Sequence, residues 1–128
     1  MRAKMSERFF FDTYALIEIN KGNPRYKSYT SGIKVILNKL NIMEYILFLM
    51  REEREKQIEE AFRKLSRFNV DYSDEDLVAA AKMKFKFARE KLSFVDCIGY
   101  SIARRHNARF LTGDEKFKNK DNVEFVKG

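Results

Sequence analysis

The 128-residue chain has no Trp, one Cys (Cys97), one His (His106), one Pro (Pro24) and only five Gly. A lone Cys excludes an internal disulfide and any zinc site built on paired Cys, and it fits a reducing compartment such as the cytoplasm. A lone His excludes a His pair for acid–base work, so any catalysis falls to carboxylates, hydroxyls or amines. Scarce Pro and Gly imply short connections between regular elements. No apolar run approaches the ~20 residues of a membrane helix; even "IMEYILFLM", 42–50, stops well short. "MRAKM" before "FFF" imitates a secretory leader, but the run is far below the ~7–15 residues of such a core. The expectation is a soluble cytoplasmic protein with no membrane attachment.

What is present is apolar bulk and positive charge. Hydrophobic residues make up 45% of the chain, with twelve Phe, enough for one globular domain spanning 1–128 and too little for two. Lys and Arg total 26 against 19 Asp and Glu, a net charge of +7. Such a surface favours an anionic partner, nucleic acid above all; a Lys/Glu-rich surface is equally the mark of a thermophilic source.

Short continuous apolar runs alternate with helical patterns. Strands are expected at Phe9–Phe11, 33–37 ("IKVIL"), 69–72 ("NVDY"), 108–112 ("ARFLT") and 123–126 ("VEFV"). Asn38, Ser73 and Ser93 are placed to cap helices, and Thr112–Glu115 has the spacing of a capping box. Strands buried on both faces and separated by helices define an α/β class, with a parallel sheet between helical layers.

In such a sheet, ligands gather beyond the carboxyl ends of the strands. Asp12 ends the first strand, Asp114 follows the fourth, Asp96 opens a helix, and Glu44 lies in the helix after the second strand. Capping accounts equally well for Asp12, Asp96 and Asp114, each cap being worth about 1 kcal/mol. Glu44 lies too deep for a cap and is spaced to share an apolar face with Leu40 and Leu47. A carboxylate there is costly unless it pairs with a Lys or Arg or ligates a metal, and ligation is the favoured reading. Two carboxylates about 5 Å apart repel by roughly 3 kcal/mol at an effective dielectric near 20. Four therefore need a cation or must take up protons. Oxygen ligands without His or Cys point to Mg²⁺ or Mn²⁺. An acidic, metal-holding hole in a basic surface suits a phosphodiester backbone.

Four stretches, "FFFDTYALI", "NKLNIMEYI", "LSFVDCIGYSIARRHNARFLTGDEKF" and "VEFV", resemble the PIN domain and, within it, the VapC-type toxins of toxin–antitoxin pairs. They span most of the chain, and the third is the most specific. The resemblance implies a three-layer α/β/α sandwich on a parallel, roughly five-stranded sheet. It implies a Mg²⁺- or Mn²⁺-dependent endoribonuclease whose catalytic and metal-binding acids are Asp12, Glu44, Asp96 and Asp114, supported by the Thr112 and Thr13 hydroxyls. Its partners would be RNA, a cognate antitoxin and a second copy of the chain. The sequence departs from the family at Asn38, where Ser or Thr is typical, and in its long aromatic loop 21–32.

Lys116 and Lys118 follow Asp114 closely and are candidates to meet substrate. Cys97 and Phe117 read as core residues, and Arg104, Arg105 and His106 as complements to a helix C-terminus. Three other functions compete. A phosphoacceptor domain would want an acidic pair at the first strand, where Thr13 and Tyr14 follow Asp12 instead. A PIN-like RNA-processing or ribosome-associated protein would keep the metal site, and a non-catalytic RNA or protein interaction module would keep the fold without the chemistry.

Overall fold

The computed structural model describes residues 7–128. Four short strands, β1 (Arg8–Phe11), β2 (Lys34–Ile36), β3 (Arg109–Thr112) and β4 (Val123–Phe125), form one sheet in the order β2-β1-β3-β4. Every pairing is parallel. Five helices surround it: α1 (Thr13–Asn20), α2 (Lys39–Arg51), α3 (Ile58–Ser66), α4 (Asp74–Lys86) and α5 (Phe94–Arg105).

The side-chain alternation of β1 sets up the two faces of the sheet. Phe9 and Phe11 join Leu111, the α1 residues Ala15 and Leu16, and the α2 residues Ile42, Tyr45 and Leu49 in one core. Phe10 points the other way, with Phe110 and the α5 residues Cys97, Ile98 and Ile102. The Phe10 and Phe110 rings stack with centroids 5.7 Å apart. Gly99 brings α5 close to the sheet, since a Cβ there would lie 2.8 Å from Phe10.

Among the described residues the sheet has four strands, not five. "NVDY" contributes a single parallel bridge, Leu37 to Asn69. The Asn69 side chain ties this segment to the start of α2: Oδ1 accepts from the Lys39 N–H at 2.9 Å, and Nδ2 donates to Asp71. That segment therefore serves the start of α2 rather than extending the sheet. The Thr112–Glu115 spacing also misleads, because Asp114 is the cap of the 3₁₀ turn Glu115–Phe117. Asn38, Ser73 and Ser93 cap α2, α4 and α5 as expected, each in a reciprocal box. No helix among the described residues is long and apolar enough to cross a membrane.

Arg105 does more than complement a helix end. It ion-pairs with Asp76 at 2.7 Å, and the Asp76 side chain is 1% exposed. Burial works against the Asp76 charge, but hydrogen bonds from Arg105, Ser73 and Ser101 outweigh it and hold the pKa down to about 2. A carboxyl depressed in this way stabilises the fold fully above its unfolded pKa near 4 and loses that contribution as pH falls toward 2. Arg105→Ala should cost about 3 kcal/mol in urea unfolding at neutral pH, because it strands a buried carboxylate. Asp76→Asn should flatten the acid limb of the stability profile.

Candidate active site

β1 and β3 are neighbours at the centre of the sheet, yet the chain leaves them toward opposite edges, to β2 and to β4. The crevice beyond their carboxyl ends is therefore the topological switch point. Asp12 is the first residue past β1, and its N–H donates to Leu111 O at 3.1 Å. Its carboxylate is both a cap and a crevice group. Oδ1 accepts from the Thr13 N–H at 2.8 Å at the start of α1, and Oδ2 accepts from the Thr112 hydroxyl at 2.7 Å. Asp12 is only 3% exposed. Burial and then the charge of Asp96 push its pKa up to about 8; Thr112 and Thr13 oppose that rise, and Glu44 adds to it.

Glu44 sits on α2 and is half-buried. It does not lie in the core stripe. The buried face of that helix is Ile42, Tyr45 and Leu49, whereas Leu47, expected beside Glu44 in the apolar face, is 45% exposed. Glu44 occupies the edge of the buried face, where its Oε1 accepts from the Thr13 hydroxyl at 2.5 Å. Burial raises its pKa, Thr13 lowers it, and Asp96 raises it further. Asp96 is the third residue of α5, and its Oδ2 accepts from the Ser93 N–H. Burial raises its pKa first, the Ser93 hydrogen bonds oppose this, Asp114 raises it and Lys116 lowers it.

Asp12, Glu44 and Asp96 thus feel one another's charge, and Asp114 joins through Asp96. The Asp114 N–H donates to the Thr112 hydroxyl at 3.1 Å, so Thr112 links the first and last acids. The Lys116 charge lowers the Asp96 pKa while its ammonium donates to Lys91 O at 3.3 Å, and its N–H donates to Asp114 Oδ1. Lys118 instead stands over the Phe125 ring, 5.7 Å from its centroid.

Among the described residues, none of the four acids makes an ion pair. No group of three or more His, Cys, Asp or Glu among those residues is already arranged to hold a metal ion. What fits a hard divalent cation is the chemistry of the donors. They are oxygens only, burial raises the pKa of three of them, and the one cation felt among them, Lys116 at Asp96, forms no ion pair there.

Two residues that the sequence analysis did not single out shape the site. Gly113 lies between Thr112 and Asp114 and is buried. A Cβ there would meet Tyr14 at 2.3 Å and Val126 O at 2.4 Å. Its only sequence signal is a Gly beside a candidate acid at a strand end. Asn41, 1% exposed, donates to the Thr13 hydroxyl at 3.2 Å. Its signal is a polar residue on the buried face of α2.

An open parallel sheet with a buried carboxylate and further acids at its switch point defines a class of site, and the comparisons give the family. The model of the PIN domain matches residues 9–123, and the chain belongs to that family. No curated protein matches the chain. Among solved structures it is similar to a toxin–antitoxin complex from Klebsiella pneumoniae, with 20% identity and a TM-score of 0.74 over 94% of this chain and 99% of that one. VapBC2 from Rickettsia felis, bound to a DNA fragment from its promoter, aligns at 14% identity and a TM-score of 0.70, covering 94% and 98%. A protein from Pyrobaculum aerophilum aligns at 19% identity and 0.65, covering 94% and 91%.

The buried Asp12 makes a prediction for metal-free protein. With a folded pKa near 8 against 3.8, the native state binds more protons between those values, so stability falls as pH rises from about 4 to about 8. Asp12→Asn removes the Asp12 contribution to that slope and keeps an equally good cap. Its thermal midpoint should exceed wild type by about 5 °C at pH 8, with the gap closing toward pH 4.

Proposed function

We propose that this chain is a Mg²⁺- or Mn²⁺-dependent endoribonuclease, the toxin of a VapC-type toxin–antitoxin pair. The observation that carries the reading is the Asp12 carboxylate, buried at the switch point and pressed upward in pKa by its surroundings and by two more acids. Family membership supports a phosphodiesterase activity, and the toxin–antitoxin complexes among its structural neighbours support an antitoxin partner. Self-association as a homodimer belongs to the same proposal. The net +7 surface supports RNA as the polymer drawn to the crevice.

In this reading Asp12, Glu44, Asp96 and Asp114 would hold the ion. When bound, Mg²⁺ or Mn²⁺ supplies Lewis acidity toward a phosphodiester oxygen and toward the attacking water. The remaining work belongs to side chains. The Thr112 hydroxyl and Thr13 N–H fix the Asp12 carboxylate from two sides, so it needs no reorganisation when substrate arrives. The Thr13 hydroxyl tethers Glu44 Oε1 and leaves Oε2 for a ligand or a water proton. Thr112 also holds the Asp114 backbone. Lys116, whose charge is felt at Asp96, offers a positive charge to a flanking phosphate.

Single-stranded RNA incubated with the full chain tests the proposal. Cleavage should require Mg²⁺ or Mn²⁺ and stop in EDTA. Asp12→Asn and Asp96→Asn should each reduce the rate by more than the roughly 100-fold that loss of an outer partner costs. Binding without cleavage at any metal concentration would favour an interaction module instead.

A further inference from the structure

Among the described residues, three helices open with the same reciprocal device: the cap side chain takes up a first-turn N–H, and the third helical residue reaches back to the cap. In α4 and α5 that third residue is an aspartate, Asp76 and Asp96. In α2 it is Asn41. For the helix alone an acid is the better choice, because its charge complements the positive end of the dipole. The amide needs a second reason, and its other end supplies one.

Asn41 Oδ1 accepts from the Asn38 N–H at 3.2 Å. A backbone N–H only donates, so this contact fixes which way round the amide lies. Nδ2 must then face Thr13, and it donates to Oγ1 at 3.2 Å. The hydroxyl, accepting there, directs its single proton to Glu44 Oε1 at 2.5 Å. The relay has one direction only: Asn41 to Thr13 to Glu44.

We propose that Asn41 is a positioning residue of the acidic site, aiming the Thr13 proton at Glu44 and so holding that carboxylate beside Asp12 and Asp96. The inference rests on the reading of these acids as a divalent-metal site. An aspartate at position 41 would keep the cap but reverse the relay, since two carboxylates would then compete for one hydroxyl proton. A residue kept for capping alone would tolerate that exchange.

Titration calorimetry with Mn²⁺ alone tests this on the full chain. Asn41→Asp is compared with Asn41→Ala, which removes the donor without adding a charge, and with Thr13→Val. Each single variant should bind Mn²⁺ about tenfold more weakly than wild type, the loss expected for an outer-shell partner. Thr13→Val combined with either Asn41 variant should lose no more than the weaker-binding single, because both act through one hydroxyl. Asn41 variants that bind within about twofold of wild type, or losses that multiply in the double variants, overturn the role of Asn41 alone. Wild-type protein that takes up no Mn²⁺ overturns the metal-site reading, and this inference falls with it.

Discussion

One hydrogen bond organises the centre of this molecule: the Thr112 hydroxyl donating to Asp12 across the carboxyl ends of β1 and β3. It joins residues 100 positions apart in sequence, at the point where the strand order reverses. The bond satisfies one oxygen of a carboxylate that is otherwise costly to bury. It does not neutralise the charge, and neither does the Thr13 N–H on the other oxygen. The site is thus held in register by hydrogen bonds while it remains electrostatically incomplete.

The same local motif meets two fates in the helices that pack below it. Ser73 with Asp76 and Ser93 with Asp96 are equivalent boxes, and nothing in their spacing separates them. Asp76 has Arg105 against it, and its pKa drops to about 2. At Asp96 burial raises the pKa and Asp114 adds to it, while Lys116 opposes them without forming an ion pair. Capping explains both residues locally. The partner across the tertiary structure decides which one is a structural anchor and which one faces the crevice.

Elements dictated by short-range chemistry were legible in the sequence. The continuous apolar runs at Phe9–Phe11, 33–37, 108–112 and 123–126 each contain a strand, and Asn38, Ser73 and Ser93 are caps. What was not legible depends on side chains that meet from far apart. "NVDY" reads as a strand until the Asn69 amide is seen to serve Lys39. The face of α2 reads as Leu40, Glu44 and Leu47 until Ile42, Tyr45 and Leu49 are seen to be buried and Leu47 exposed, with Leu40 packed against the second core. Gly113 becomes informative only when Tyr14 and Val126 crowd it. Of the acids, the sequence reveals type and order along the chain. It does not reveal how Thr13, Thr112 and Asn41 orient their oxygens.

The β1–β3 pairing also constrains how such a protein is made. Phe9 pairs with Arg109 and Phe11 with Leu111, so the two central strands of the sheet join residues 100 positions apart. Contacts so distant along the sequence form late and slowly. A growing polypeptide that has not passed Thr112 has neither the central strand pair nor the hydroxyl that steadies Asp12. The arrangement of the crevice thus hangs on a contact between residues 100 positions apart.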